Sequence, residues 1–180
     1  GEEYTFDTVC IDGAPAFMNV AQYLPRPLDA RSHEWISPVI ITVKDMYQPK
    51  LLPGVELGRK VLKALGMGDG FTHMEWFLRD GVGPNQPNML VNEVGVRPPG
   101  VAIMPLMGLA HDTDLFADWA ELIALDRFTP KARRWAAGAA FLRGHGHGSH
   151  VASVTGVAEV VAKLGDALVE LRAPKVGQPR

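Results

Sequence analysis

The chain has 180 residues, of which 47% are hydrophobic and 21% charged, and its formal net charge is −2. This is the composition of an ordinary globular domain with an apolar core. The near-zero charge argues against a nucleic-acid-binding protein, because such a protein needs a basic face. The single cysteine, Cys10, excludes an internal disulfide framework and a cysteine-rich zinc module.

The sequence also argues against a membrane partner. No apolar run approaches the roughly 18 residues that cross a bilayer. The acidic start GEEYTFD is unlike a secretory signal. We therefore expect a cytoplasmic protein.

The first half of the sequence predicts a hairpin, a short strand and a helix. Residues 4–11 are rich in aromatic and β-branched residues and stop at the turn signal Asp12-Gly13, and a second strand follows over 14–24. Residues 54–65 have apolar side chains at helical spacing, which predicts a helix. Between these elements the sequence predicts a loop over 25–38 and a buried strand over 39–43.

The second half predicts another hairpin, followed by helices and a strand. Residues 71–79 and 88–94 read as strands joined by the turn DGVGPNQP at 80–87. Further elements are predicted as a helix over 115–125 capped by Asp112 or Asp114 and a strand over 136–142. The last is a helix over 154–171, with a strand at its end as the alternative. Nothing divides the chain, so we expect one domain over 1–180. The hairpins predict an α+β fold, an antiparallel sheet with flanking helices.

The second hairpin brings two carboxylates together. Side chains alternate faces along a strand, so His73, Glu75 and Phe77 share one face. On the return strand, strict alternation places Met89, Val91 and Glu93 on one face. If the turn centres near residue 84, Glu75 lies directly opposite Glu93, whereas a slip of one residue would separate them.

Opposed carboxylates are destabilising unless both face water, share a proton or hold a cation between them. Mg²⁺ favours one or two carboxylates together with phosphate oxygens. Arg97 follows Glu93 by four positions and is a planar donor suited to phosphate. The plain alternative is two solvated glutamates on an exposed sheet face.

The segment GFTHMEWFLRDG followed by MLVNEVGVRPPG resembles the C-terminal half of the ATP-grasp fold. Its Asn-Glu-(x3)-Arg-Pro pattern is most similar to the carboxylate–amine ligase branch of that superfamily. Three flanking segments also resemble it, namely GEEYTFDTVCIDG, HDTDLFADWAELIAL and AFLRGHGHG.

The resemblance implies a role for each of five residues. Glu75 and Glu93 are implied to bind Mg²⁺, or Mn²⁺ in its place, and with it ATP. Arg97 is the implied catalytic contact to phosphate or to an acyl-phosphate intermediate. Asn92 is implied to lie at the ATP phosphates, although alternation predicts that it points away from Glu93. Phe77 falls where the family places an apolar residue under the adenine ring.

The implied reaction joins two small molecules at the expense of ATP. A carboxylate substrate is activated as an acyl phosphate, and an amine, or a thiol, attacks it. Many relatives carry an asparagine two positions after the second glutamate, where this chain has Gly95. No glycine-rich phosphate loop precedes the hairpin, so we expect a C-terminal lobe whose N-terminal lobe and preceding domain lie outside this chain.

Two alternatives remain open at this point. One is a non-catalytic packing or dimerisation module, which would form a homo-oligomer. The other is a bicarbonate-activating protein similar to biotin carboxylase.

Other polar residues receive structural interpretations. His73 is expected to be packed or hydrogen-bonded in its strand, with a role in the site as the alternative because it shares a face with Glu75. Glu2 and Glu3 are expected to be exposed, with a contact to ATP or substrate as the alternative. The remaining expectations are a mobile loop holding His145, His147 and His150 with no zinc site, solvated Arg133 and Arg134, and core positions for Trp119 and Leu122.

Overall fold

A computed structural model describes residues 1–81 and 88–179. These residues form a six-stranded sheet in the order β5-β4-β1-β2-β3-β6, and every neighbouring pair is antiparallel. The strands are β1 (Glu2–Ile11), β2 (Ala14–Leu24), β3 (Val39–Thr42), β4 (Gly70–Leu78), β5 (Met89–Gly95) and β6 (Ala137–Ala140). The helices are α1 (Pro27–Ser32), α2 (Leu52–Ala64), α3 (Ile103–His111), α4 (Leu115–Leu125) and α5 (Val157–Leu164), followed by a 3₁₀ turn at Gly165–Ala167. The predicted α+β class with an antiparallel sheet is confirmed.

The first hairpin forms as predicted. Asp12 and Gly13 have φ values of 51° and 75°, the paired positive angles of a two-residue hairpin turn. The turn of the second hairpin was predicted over 80–87, and its residues 82–87 lie outside the described residues.

One face of the sheet is covered by α2. Alternate residues of β1 and β4 point to this helix, and Tyr4 stacks on Trp76 with ring centroids 4.8 Å apart. A Cβ atom on Gly54 would overlap the Trp76 ring, and one on Gly58 would overlap Phe6. These two glycines therefore let α2 lie against the aromatic side chains of the sheet.

The opposite face is covered in part by α3 and α4. Val9, Phe17 and Phe71 pack there against side chains of both helices. Asp114 caps α4 by accepting hydrogen bonds from the backbone N–H groups of Phe116 and Ala117. This settles the choice that the sequence left between Asp112 and Asp114.

The sequence does not predict α1 or α3. Helix α1 lies inside the predicted loop over 25–38, with Pro27 in its first turn. In α3, Pro105 also lies in the first turn, where a missing N–H group costs nothing.

Two C-terminal expectations also need correction. Helix α5 is shorter than the predicted 154–171, and none of its residues is buried. Leu122 is buried as predicted, whereas Trp119 is 37% exposed and contacts Phe71 only edge-on. No helix in the described part of the chain is long and apolar enough to span a membrane.

The packing of α2 predicts an unusual response to alanine. Replacing a helix-interior glycine with alanine normally stabilises a helix by about 1 kcal/mol. We expect Gly58→Ala instead to lower the free energy of unfolding by roughly 1–3 kcal/mol, because the new methyl group overlaps Phe6. Urea denaturation measures this change. Exposed Lys60→Ala on the same helix serves as control and should be nearly neutral, and a stabilised Gly58→Ala would contradict the packing described.

Candidate functional site

A polar cluster occupies the part of the sheet face next to α3 and α4. Along β1 this face changes from apolar Val9 to Asp7 and Thr5. The strands paired with β1 add Asn19 from β2 and His73 from β4, each opposite Asp7. The register thus places several polar side chains of neighbouring strands in contact.

Asp7 is the centre of this cluster and is fully buried. Its Oδ1 atom lies 2.7 Å from Nδ1 of His73. Its Oδ2 atom accepts hydrogen bonds from the Thr5 hydroxyl at 2.7 Å and from the Asn19 amide at 3.0 Å. A buried carboxylate is stable only with such compensation.

His73 is held in its charged form by two acidic neighbours. Burial works against the imidazolium, but the hydrogen bond to Asp7 and the interaction with Glu75 outweigh it and raise the pKa of His73 to about 9. Its Nε2 atom lies 3.6 Å from Oε1 of Glu75. His73 is therefore a buried cation between two carboxylates at neutral pH. The expectation of a hydrogen-bonded strand residue is confirmed.

Glu75 lies at the edge of the cluster, with 20% of its side chain exposed. The Tyr23 hydroxyl lies 3.5 Å from its Oε1 atom, and the Asn92 amide donates to its Oε2 atom at 3.2 Å. The contact with His73 lowers the pKa of Glu75, and this effect exceeds the opposing effect of burial. The carboxylate is thus ionised and points toward β5.

Glu93 lies directly opposite Glu75, as the turn position predicted. Its side chain is exposed and forms no hydrogen bond or ion pair with residues 1–81 and 88–179. Glu75 thus has neighbours that hold it in place, whereas Glu93 is free to bind a ligand.

A β-bulge interrupts the regular pairing of β4 with β5 next to Glu75. Glu75 pairs with Glu93 but Trp76 pairs with Val91, so Asn92 is the extra residue. Asn92 therefore reaches Glu75, and the prediction that it points away from Glu93 is wrong.

The bulge also overturns the shared face predicted for Met89, Val91 and Glu93. Met89 is buried in the α2 core beside Trp76, on the face away from Glu93. Strict alternation fails here because a bulge shifts the phase of every residue on one side of it.

Arg97 and Phe77 both lie on the site face. The Nε atom of Arg97 is 3.3 Å from the position that a Cβ atom on Gly95 would take, and Gly95 pairs with His73. Arg97 is exposed and donates to the carbonyl of Pro98 at 3.0 Å. Phe77 is half-buried and lies between its strand partners Glu3 and Leu90.

Glu3 is buried, in contrast to the exposed position expected from the sequence. It is 6% exposed, and its carboxylate has no hydrogen bond or ion pair among the described residues. Burial, and then the charge of Glu75, raises its pKa. Its place in β1 opposite Phe77 could have been derived only from the strand pairing.

Arg133 is the main residue that the sequence interpretation missed, since it was expected to be solvated. It is half-buried, and its guanidinium donates to the Val43 carbonyl at 2.7 Å and to Oδ1 of Asn19. Burial lowers its pKa to about 10, against the opposing effect of Asp7. No local pattern distinguishes it from its exposed neighbour Arg134.

The donor set at Glu75 and Glu93 fits a magnesium ion that is also held by phosphate. Within the described residues no group of three or more His, Cys, Asp or Glu side chains could hold a metal by itself. Mg²⁺ commonly takes one or two carboxylates and completes its shell with water and phosphate oxygens. The unpartnered Glu93 carboxylate beside ionised Glu75 matches that preference.

Comparison with solved structures finds proteins of similar fold. An L-amino acid ligase from Bacillus licheniformis matches with a TM-score of 0.53 and 19% sequence identity. The match covers 68% of this chain and 29% of that protein, so the chain spans less than a third of the ligase. No family model matches the sequence, and no curated protein matches it. At this identity the likeness establishes an ATP-grasp-like fold.

The Asp7–His73 contact predicts how stability depends on pH. Because the folded chain raises the pKa of His73 from about 6.5 to about 9, it binds this proton more tightly than the unfolded chain does. The contribution to the free energy of unfolding is therefore complete below about pH 6.5 and is lost as the pH rises through about 9.

NMR titration of the His73 ring protons should give a midpoint near 9. Asp7→Asn should lower that midpoint, because it removes the anion bonded to Nδ1. A His73 midpoint below 7 in the folded protein would contradict the buried ion pair.

Proposed function

We propose that this chain is the C-terminal lobe of an ATP-dependent carboxylate–amine ligase. In this reaction Mg-ATP phosphorylates a small-molecule carboxylate, and an amine then displaces the phosphate. The observation that carries the proposal is the pair of opposed carboxylates, one of them unpartnered, on a sheet with an ATP-grasp-like fold. The likeness to an L-amino acid ligase supports the reaction class.

The proposed chemistry has two displacements. A carboxylate oxygen of the first substrate attacks the γ-phosphorus of ATP, and the bond to the bridging oxygen breaks to release ADP. The amine of the second substrate then attacks the acyl carbon, loses a proton and expels inorganic phosphate. Charge on the transferring phosphoryl group is the main obstacle to the first step.

The residues of this chain act on that charge. Glu75 and Glu93 would hold Mg²⁺, and the bound ion would supply positive charge to neutralise the phosphate oxygens. Arg97 contacts the transferred phosphoryl group or the acyl phosphate through its planar set of donors. Asn92 donates one amide hydrogen to Glu75. Its second amide hydrogen is proposed to bond the phosphates. Phe77 offers an apolar ring beneath the adenine.

The remaining parts of the site are proposed to lie in a preceding lobe. This chain spans 29% of the length of the ligase that it resembles. We propose that such a lobe contributes the glycine-rich phosphate loop, lysine contacts and part of the substrate pockets. In that arrangement the isolated chain is inactive and the substrates are selected by both lobes.

Glu93→Gln tests the proposed reaction in a protein that contains this chain together with its preceding lobe. We expect ADP formation with a panel of amino acids to fall by about 100-fold or more, because the amide is a poorer ligand for a hard cation. Glu159→Gln on exposed α5 is the matched control and should leave the rate unchanged. Wild-type ADP formation by Glu93→Gln would exclude its role as a metal ligand.

A second candidate function, a packing or dimerisation module, is favoured by apolar side chains exposed on α4. Phe116 is 54% exposed and Ile123 is 69% exposed. Patches of this kind mark interaction surfaces. The ligase proposal differs from this candidate in requiring a nucleotide.

Calorimetric titration of the isolated chain with Mg-ATP tests whether this lobe is sufficient to bind nucleotide. We expect weak or undetectable heat, because the proposed site is shared with a second lobe. Light scattering on the same sample should show an oligomer if the α4 patch is a dimer interface, and Ile123→Glu should then restore a monomer. Tight Mg-ATP binding by the 180-residue chain would contradict the two-lobe arrangement.

A further inference from the structure

A chain of polar contacts connects the loop before β6 to Glu75 through the buried centre of the sheet. Arg133 donates to Oδ1 of Asn19, and the Asn19 amide donates to Oδ2 of Asp7. The other oxygen of Asp7 contacts Nδ1 of His73, and Nε2 of His73 faces Oε1 of Glu75. Four of these five side chains come from three adjacent strands.

Each of these polar contacts has a fixed donor and a fixed acceptor. A guanidinium can only donate hydrogen bonds, so Asn19 must present its oxygen to Arg133 and its NH₂ group to Asp7. An ionised carboxylate can only accept, so Asp7 receives hydrogen bonds from both Asn19 and His73. Reversing any one contact would leave a buried donor facing a donor or an acceptor facing an acceptor, which is costly.

Burial is greatest in the middle of this series of contacts and smaller at its two ends. Arg133 is half-buried, with its Nε atom buried and unpartnered among the described residues. Asn19 and Asp7 are fully buried, and His73 is 3% exposed. Glu75, at the end of the chain, is the member that reaches the candidate site, beside Glu93.

We propose that Arg133, Asn19, Asp7 and His73 are positioning residues that fix the Glu75 carboxylate in the orientation needed to share a divalent cation with Glu93. The proposal rests on the proposed function, because it assumes that this pair binds the cation. Arg133 is the outer anchor: its two hydrogen bonds tie Asn19 to the backbone of Val43 next to β3. Losing that anchor frees the Asn19 amide to rotate, which removes one donor from Asp7 and loosens His73.

Paramagnetic broadening by Mn²⁺ in the ¹⁵N-labelled 180-residue chain tests this proposal. The ion broadens backbone amide signals near its site even when binding is weak. The Mn²⁺ concentration that halves the amide signal intensities of Glu75 and Glu93 therefore reports the affinity of the site. Removing a group bonded directly to a metal ligand typically costs about 10–100-fold in affinity. Because Arg133 acts through three intermediate residues, we expect Arg133→Gln to raise that concentration by less, about three- to tenfold. Arg133→Lys keeps the charge but replaces the two guanidinium nitrogens that make these contacts with a single nitrogen, so it should weaken binding in the same direction.

Arg134→Gln is the matched control, because it removes the same charge from the neighbouring, exposed position. A purely electrostatic effect has the opposite sign, since removal of a cation strengthens Mn²⁺ binding. Melting temperatures recorded on the same samples separate loss of folded protein from loss of affinity.

The outcomes separate this inference from the proposed function. Localised broadening at Glu75 and Glu93 in the wild type, with weaker binding by both Arg133 variants, supports the proposed positioning role. Localised broadening that the Arg133 variants leave unchanged or strengthen overturns the positioning role but not the metal site. A wild-type protein that shows no localised broadening, either with Mn²⁺ alone or with Mn²⁺ and ATP together, overturns the metal site, and the positioning role with it.

Discussion

The carboxylate of Asp7 lies in the middle of the sheet without exposure to solvent, and the neighbouring strands are arranged around it. Breaking a buried charge pair by removing one partner typically costs about 3–5 kcal/mol, so Asp7 strongly favours the pairing that brings Asn19 and His73 opposite to it. A slip of one residue in either neighbouring strand would replace these donors with side chains from the apolar face. The same contact that compensates the buried charge therefore fixes the register of β4, and with it the position of Glu75.

The sheet combines a core and a site on the same strands. On β1 and β4, one set of alternate residues packs against α2, including Phe6 and Trp76. The other set is apolar beneath α3 and α4 and polar beyond them. Because the apolar contacts hold the strands from both sides, the polar cluster can include charged groups that would be unstable in a less constrained sheet.

Much of the fold and the central feature of the site could be predicted from the sequence, because they depend on local patterns. The Asp12-Gly13 turn and the opposition of Glu75 to Glu93 follow from turn chemistry and two-residue periodicity. Helix α3 could not be predicted in this way, because it is apolar around most of its circumference and has no periodic contrast. The role of Arg133 also escaped, since its contact with Asn19 joins residues 114 positions apart.

The bulge at Asn92 has a consequence for how this hairpin tolerates change in length. Two residues of β5 oppose one residue of β4, so the strand carries one residue more than regular pairing needs. Deleting a residue between Met89 and Asn92 would convert the bulge to regular pairing, and Glu93 would keep its partner. Asn92 would then lie opposite Trp76 and lose its hydrogen bond to Glu75. Deleting a residue between Glu93 and Gly95 would instead shift the segment leading to Arg97 by one position. A deletion on the Met89 side of the bulge thus leaves the pairing of Glu93 unchanged, whereas a deletion on the Gly95 side displaces Arg97.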